Sequence, residues 1–215
     1  MIAEQVGCVW KLEKLCRNKA LKAAVEKPEN VKLFLNVDGN IIQDKAFIQG
    51  FTNRRAMKAG VPASDIVFEI TERSDIENYQ ILQQIMKHYA DQGYEIALDD
   101  VGAGHLGLNR VVNTTPDYLK ADIELVRDIH KYKKKEIMMK LLLDYCNATG
   151  AILIAEGIET VQELECLHSL GVHYGQGFFL GKPERAFGNI SAESEEILER
   201  LNGRKNILFL DISGK

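Results

Sequence analysis

The stretch that most constrains this chain is Ile96-Ala-Leu-Asp-Asp-Val-Gly-Ala-Gly-His-Leu-Gly107, an apolar run that ends in two adjacent acids and enters a glycine-rich turn. Neighbouring carboxylates repel and raise each other's pKa unless cations sit between them. Asp99 and Asp100 at the end of a buried strand therefore point to bound metal, and hard oxygen donors suit a divalent cation.

The same layout recurs along the chain. Apolar runs at 31–37, 66–70, 94–99, 117–121, 151–156 and 172–176 read as strands. Helical periodicity lies between them. Residues 6–24 form a helix with Val9, Leu12, Leu15 and Cys16 on the buried face, and a second helix covers 44–59. A third opens on the capping box of Ser74 and Glu77, buries Ile81, Leu82, Ile85, Met86 and Tyr89, and ends at Gly93. The helix over 132–149 buries Ile137, Leu141 and Tyr145, and Thr160 with Glu163 boxes the next one, which runs to Gly171.

Strands and helices that alternate about six times with short connections imply parallel strands and right-handed crossovers. Asn36, Glu69, Asp99, Asp100, Lys120, Glu156 and Gln176 all fall at C-terminal strand ends. A barrel assembles its site there from many strands, whereas an open sheet concentrates it at one switch point. The expected fold is α/β, a TIM-like (β/α)8 barrel over residues 1–190. A helix over 191–201 and an apolar strand over 206–212 extend it through 191–215.

Composition excludes several classes. A net charge of -4 and a pI near 5.8 provide no basic field for DNA or RNA. No apolar run reaches the ~18 residues of a membrane span. Cys8, Cys16, Cys146 and Cys166 form no CxxC pair, which fits reduced, small buried thiols and a cytoplasmic location. Lys131, Lys133, Lys134 and Lys135 read as the solvated start of a helix.

Glu69, Asp99, Asp100 and Glu156 with Asn36 make an all-oxygen donor set, suited to Mg²⁺ or Mn²⁺ over zinc. The plainer alternative is that these acids cap helices or pair with lysines. Residues 102–107 match GxGxxG, but Asp99 and Asp100 would repel a pyrophosphate there, so a loop over a metal site is the better reading. Lys120 as a Schiff-base nucleophile needs an apolar pocket. Among so many acids, its expected role is to stabilise charge or position water.

These residues stand within six ordered blocks. They are Leu35-Asn-Val37, Phe68-Glu-Ile-Thr-Glu72, Leu98-Asp-Asp-Val-Gly-Ala-Gly104, Tyr118-Leu-Lys-Ala-Asp122, Ile154-Ala-Glu-Gly-Ile-Glu159 and Tyr174-Gly-Gln-Gly-Phe-Phe-Leu-Gly-Lys-Pro183. Together they resemble the EAL family of bacterial signalling phosphodiesterases, which open cyclic di-GMP to linear pGpG with two divalent metals on a TIM-like barrel. The resemblance implies Asn36, Glu69 and Asp99 as metal ligands, with Asp100 serving the second metal. It makes Lys120 and Glu156 the pair that positions and activates the attacking water. It implies Glu72 as the anchor of the 101–107 loop, Gly102 and Gly104 as part of that loop, and Gln176 as a residue lining the ligand site. It also implies cyclic di-GMP as partner and a homodimer paired through barrel helices.

The sequence departs from the family in two respects: no Glu-Ala-Leu segment occurs near its start, and, more mildly, Val101 and His105 stand where the family usually has aromatic residues in the loop beside the site. The expected barrel is therefore incomplete at the N-terminus, without its first strand and one metal-ligand glutamate. The question of an enzyme stays open on that count. The alternative is a catalytically inactive module that binds cyclic di-GMP or a partner. Residues 206–212 offer a strand for the vacant edge, with Asp211 near the site.

Overall fold

In the computed structural model, which describes residues 3, 6–38, 41–71, 79–102, 107–183 and 187–202, each of the six apolar runs forms a strand. Two compact units divide within the third strand, between Ala97 and Leu98.

The first unit holds α1 (Val9–Ala23), β1 (Leu33–Val37), α2 (Phe51–Ala59), β2 (Ile66–Thr71), α3 (Tyr79–Ala90) and the start of β3 (Glu95–Val101). Its strands follow sequence order, and β1 runs parallel to β2 with Asn36 opposite Glu69. Ile66, Val67, Phe68 and Ile70 are all buried, so β2 is covered on both faces, as parallel strands usually are. The expected face of α3 holds for Leu82, Ile85, Met86 and Tyr89, which are buried, while Ile81 is half-buried at its edge.

Two expectations in this unit fail. Residues 44–59 are not one helix. Asp44 accepts the Ala46 N–H at 2.8 Å in a local turn, and Gly50 at φ 69° starts α2 afresh. The second failure is the face of α1, since Leu12, Leu15 and Cys16 are exposed while Trp10, Arg17 and Leu21 are buried. Cys16 is thus no small buried hydrophobe.

The reason lies in the partners of Arg17. Its guanidinium pairs with Glu13, donates to Thr52 Oγ1 at 3.1 Å and Tyr89 Oη at 3.2 Å, and lies 5.0 Å from the Phe68 ring centroid and 5.4 Å from that of Trp10. A charge so paired can occupy a core position that apolar counting assigns to leucine.

The second unit holds the rest of β3, α4 (Gly107–Asn113), β4 (Tyr118–Ala121), α5 (Ile123–Val126), α6 (Lys133–Thr149), β5 (Ile152–Ala155), α7 (Val161–Leu170), β6 (Tyr174–Gly175) and α8 (Ala192–Asn202). Its strands again follow sequence order, with β4, β5 and β6 parallel. The Thr160–Glu163 capping box is present. The helix expected over 191–201 is α8, which buries Leu198 and ties Arg200 to Glu165 at 2.5 Å. The strand expected over 206–212, with Asp211, lies outside the described residues.

The expected face of α6 fails as well. Ile137 is 53% exposed and Leu141 58%, Tyr145 is half-buried, and the core residues are Met139, Leu142, Leu143 and Cys146. Two apolar stripes run along this helix, and periodicity alone does not choose between them. Among the described residues, no helix is long and apolar enough to cross a membrane.

Burial pushes the Glu13 carboxyl above its usual 4.5, and Arg17 pulls against that rise. Replacing Arg17 with Ala is expected to cost about 3–5 kcal/mol at neutral pH by stranding Glu13 as an ion. The raised carboxyl pKa sets the sign, because a neutral Glu13 tolerates burial. The loss should therefore shrink as pH falls from neutrality toward 4.5, across the range into which burial raises this carboxyl, which denaturant unfolding at a series of pH values would measure.

Candidate functional site

Successive side chains of a regular strand point to opposite faces. Asp99 and Asp100 escape that alternation because Asp100 is left-handed, at φ 58°. Asp is among the few non-glycine residues that adopt this conformation at modest cost. Both carboxylates consequently gather with Glu156, and one oxygen from each of the three lies within 4.8 Å of the others.

Lys120 fills the centre from β4. Its side chain is 3% exposed, and the ammonium donates to Asp99 Oδ1 at 2.8 Å and pairs with Glu156 Oε1 at 2.7 Å. The backbone keeps these strand ends in register: Asp122 N–H donates to Val101 O, Glu156 N–H to Ala121 O, and Gln176 N–H to Ala155 O. Lysine pairing, the plainer reading of the acids, therefore holds for Asp99 and Glu156. It is not the whole account, because the three carboxylates carry two more negative charges than Lys120 carries positive.

That donor set fits a hard cation. Mg²⁺ and Ca²⁺ take oxygen ligands at about 2.0–2.6 Å, so oxygens sharing one ion stand at most about 4–5 Å apart. The Asp99, Asp100 and Glu156 oxygens meet that spacing. A Schiff-base role for Lys120 has no such support, since carboxylates rather than apolar groups surround its amine.

The remaining expected site residues divide by position. Asn36 and Glu69 are register partners in the first unit, Asn36 exposed and Glu69 buried. Gly102 follows the acids at φ 106°. Gln176, just after β6, carries a buried Oε1 that accepts no hydrogen bond among the described residues, which makes it a ready acceptor for a ligand's N–H. Glu72 and Gly104 lie outside the described residues, and so does His105.

Three residues not assigned to the site from the sequence support it. A Cβ at Gly157, φ 71°, would overlap the Ile123 side chain, and one at Gly177 would overlap the Ile158 backbone. Only glycine fits at both. Their signal is the glycine directly after Glu156 and directly after Gln176. The third is Glu163, known from the sequence only as a cap. Its buried carboxylate also accepts the Asp128 N–H at 2.8 Å and the Glu159 N–H at 2.9 Å, tying the chain after Lys120 to the chain after Glu156.

The EAL domain family matches this chain over residues 1–183, and the chain belongs to that family. It is 25% identical over 150 residues to the cyclic di-GMP phosphodiesterase PdeB of Shewanella oneidensis. That match covers 70% of this chain and 17% of PdeB, so the chain spans a minor part of its relative's length.

Among solved structures, a cyclic di-GMP-bound standalone EAL protein from Vibrio cholerae O395 matches at TM-score 0.76 and 26% identity, covering 86% of this chain and 78% of that one. The manganese and cyclic di-GMP complex of Klebsiella pneumoniae BlrP1 matches at TM-score 0.79 and 27% identity, covering 87% and 50%. The TIM-like α/β class expected from the sequence holds.

Although burial alone raises the Glu163 carboxyl pKa, the backbone donors of Asp128, Glu159 and Thr160 bring it below 4.5. A depressed carboxyl contributes stability that is complete above 4.5 and lost as pH falls below it. Glu163→Gln should lower stability at pH 7 yet flatten the acid limb of a melting-temperature profile. Glu163→Ala should cost about 3 kcal/mol, from buried N–H groups left without an acceptor.

Proposed function

We propose that this chain is an EAL-type phosphodiesterase domain that hydrolyses cyclic di-GMP to pGpG with Mg²⁺ or Mn²⁺. The observation that carries the proposal is the buried Lys120 bridging Asp99 and Glu156, with Asp100 gathered beside them. Membership of the family and the cyclic di-GMP named for PdeB, the Vibrio cholerae protein and BlrP1 support the same substrate.

Asp99, Asp100 and Glu156 are the proposed holders of the cation. For Asn36 and Glu69, that role rests on the resemblance and on their shared register. Bound divalent metal would supply charge neutralisation at the phosphate and a more acidic water. Lys120 keeps the Asp99 and Glu156 carboxylates in place and presents ammonium protons to the incoming water. Glu156 takes the proton from that water as its oxygen bonds to phosphorus and the ester oxygen leaves. Gln176 Oε1 accepts from a guanine N–H, and Phe178, 63% exposed on the turn after β6, offers a face for base stacking.

The second reading is a binding module without hydrolysis. The observation that favours it is that Lys120 already engages two of the three gathered carboxylates, Asp99 at 2.8 Å and Glu156 at 2.7 Å, which leaves less charge for a metal.

Incubation with cyclic di-GMP and Mn²⁺ or Mg²⁺ tests both readings when pGpG formation and bound ligand are followed in the same samples. Glu156→Ala is expected to cut turnover about a hundredfold or more, the usual worth of a general base. Ligand retained with no product in the wild-type chain would select the binding module, and neither product nor binding would reject both. Independently, Mn²⁺ at a hundredfold excess over its Kd should stabilise the fold by about 2.7 kcal/mol. Asp99→Asn with Asp100→Asn should abolish that gain.

A further inference from the structure

Positive charge and exposed apolar side chains meet on two helices of the first unit. α1 and α2 together hold eight Lys and Arg side chains and a single acid, Glu13, in a chain whose net charge is -4. Glu13 is occupied by Arg17 and by the Asp38 N–H, which it accepts at 2.6 Å. Among the described residues, none of the other seven cations of these helices forms an ion pair.

The outward face of α1 mixes the two chemistries. At 3.6 residues per turn, Lys11, Leu12, Leu15, Lys19 and Lys22 fall within about 100° of arc. All five are exposed, Leu12 by 41% and Leu15 by 52%, and the buried Trp10, Arg17 and Leu21 take the opposite side. α2 repeats the mixture with Arg54, Arg55, Lys58 and Met57, all exposed, Met57 by 76%, above the buried Thr52 and Ala56.

The two helices are held together beneath these faces. Arg17 donates to Thr52 Oγ1, and the Trp10 and Phe51 ring centroids are 5.5 Å apart. Lys14 lies 5.6 Å from the Trp10 centroid and Arg55 5.6 Å from that of Phe51, so cations of both helices border one pair of rings.

We propose that α1 and α2 dock this protein on a bilayer surface that carries anionic phospholipid. Headgroup phosphates lie just above the acyl chains, so such a surface takes cations and aliphatic side chains side by side. Lys11, Lys19, Lys22, Arg54 and Lys58 meet the phosphates, while Leu12, Leu15 and Met57 enter the boundary beneath them. The lysine stems bridge the two depths. A nucleic acid would use the cations equally but would leave the leucines and Met57 in water, and no aromatic ring stands exposed on either helix for its bases. Three apolar side chains anchor weakly, so the binding is reversible and weakens as salt shortens the reach of the charges. The docking face uses none of the residues assigned to hydrolysis.

Flotation of the full 215-residue chain with phosphatidylcholine vesicles, made with and without phosphatidylglycerol, tests it. The wild-type chain should float with the anionic vesicles at low salt, stay behind with the neutral ones, and lose binding as salt rises. Lys19→Glu combined with Lys22→Glu should weaken binding at least about tenfold, some 1.4 kcal/mol, and Leu12→Ser combined with Leu15→Ser should do the same, each with an unchanged circular dichroism spectrum. Lys134→Glu combined with Lys140→Glu makes the same charge change on exposed residues of α6 and should leave binding as it was. A wild-type chain that ignores anionic vesicles would overturn the proposal without recourse to any variant. An equal loss from the α6 pair, no loss from the leucine pair, or duplex DNA bound as tightly as vesicles at equal phosphate would overturn it too.

Discussion

The ammonium of Lys120 is the charge around which the candidate site is built. Taking a lysine out of water costs several kcal/mol unless well-placed partners replace its hydration. Asp99 and Glu156 do so at 2.8 and 2.7 Å, and each reaches the ammonium from its own strand. The ends of β3, β4 and β5 must therefore stay in register for the charge to be tolerated. The backbone bonds from Asp122 to Val101 and from Glu156 to Ala121 maintain that register.

A second buried cation, Arg17 in the first unit, shows why charge count separates a structural pair from a site. Arg17 has one carboxylate, two hydroxyls and aromatic faces about it, so its single positive charge meets a single negative one. Lys120 has three carboxylates within reach of one another and cannot balance them alone. Burial is similar at the two positions, so what separates them is the number of carboxylates gathered about the cation.

Tight packing at the loop bases keeps that excess in place. Gly157 and Gly177 let the segments after β5 and β6 press against Ile123 and Ile158, and Glu163 ties the loop at Asp128 to the one at Glu159. Like charges gathered at a strand end tend to push apart, and a loosely packed scaffold would let them. Here the chain immediately beyond Glu156 is held from both sides.

The sequence by itself determined the strands, the parallel α/β class and the acids and lysine that come together at the ends of β3, β4 and β5. Alternating apolar runs and polar strand ends are local patterns that survive without coordinates. It also identified Lys120 as a charge partner, because the acids around it could be counted. Only the tertiary structure decided which face of α1 and α6 is buried. Leu12, Leu15, Ile137 and Leu141 are apolar and suitably spaced, yet the core took Trp10, Arg17, Met139 and Leu142 instead. Burial depends on partners distant in sequence, such as Thr52 and Tyr89 for Arg17, which no helical period encodes. The left-handed turn at Asp100 was likewise hidden, since a strand pattern predicts that adjacent acids diverge. Their convergence rests on one backbone angle that the fold imposes.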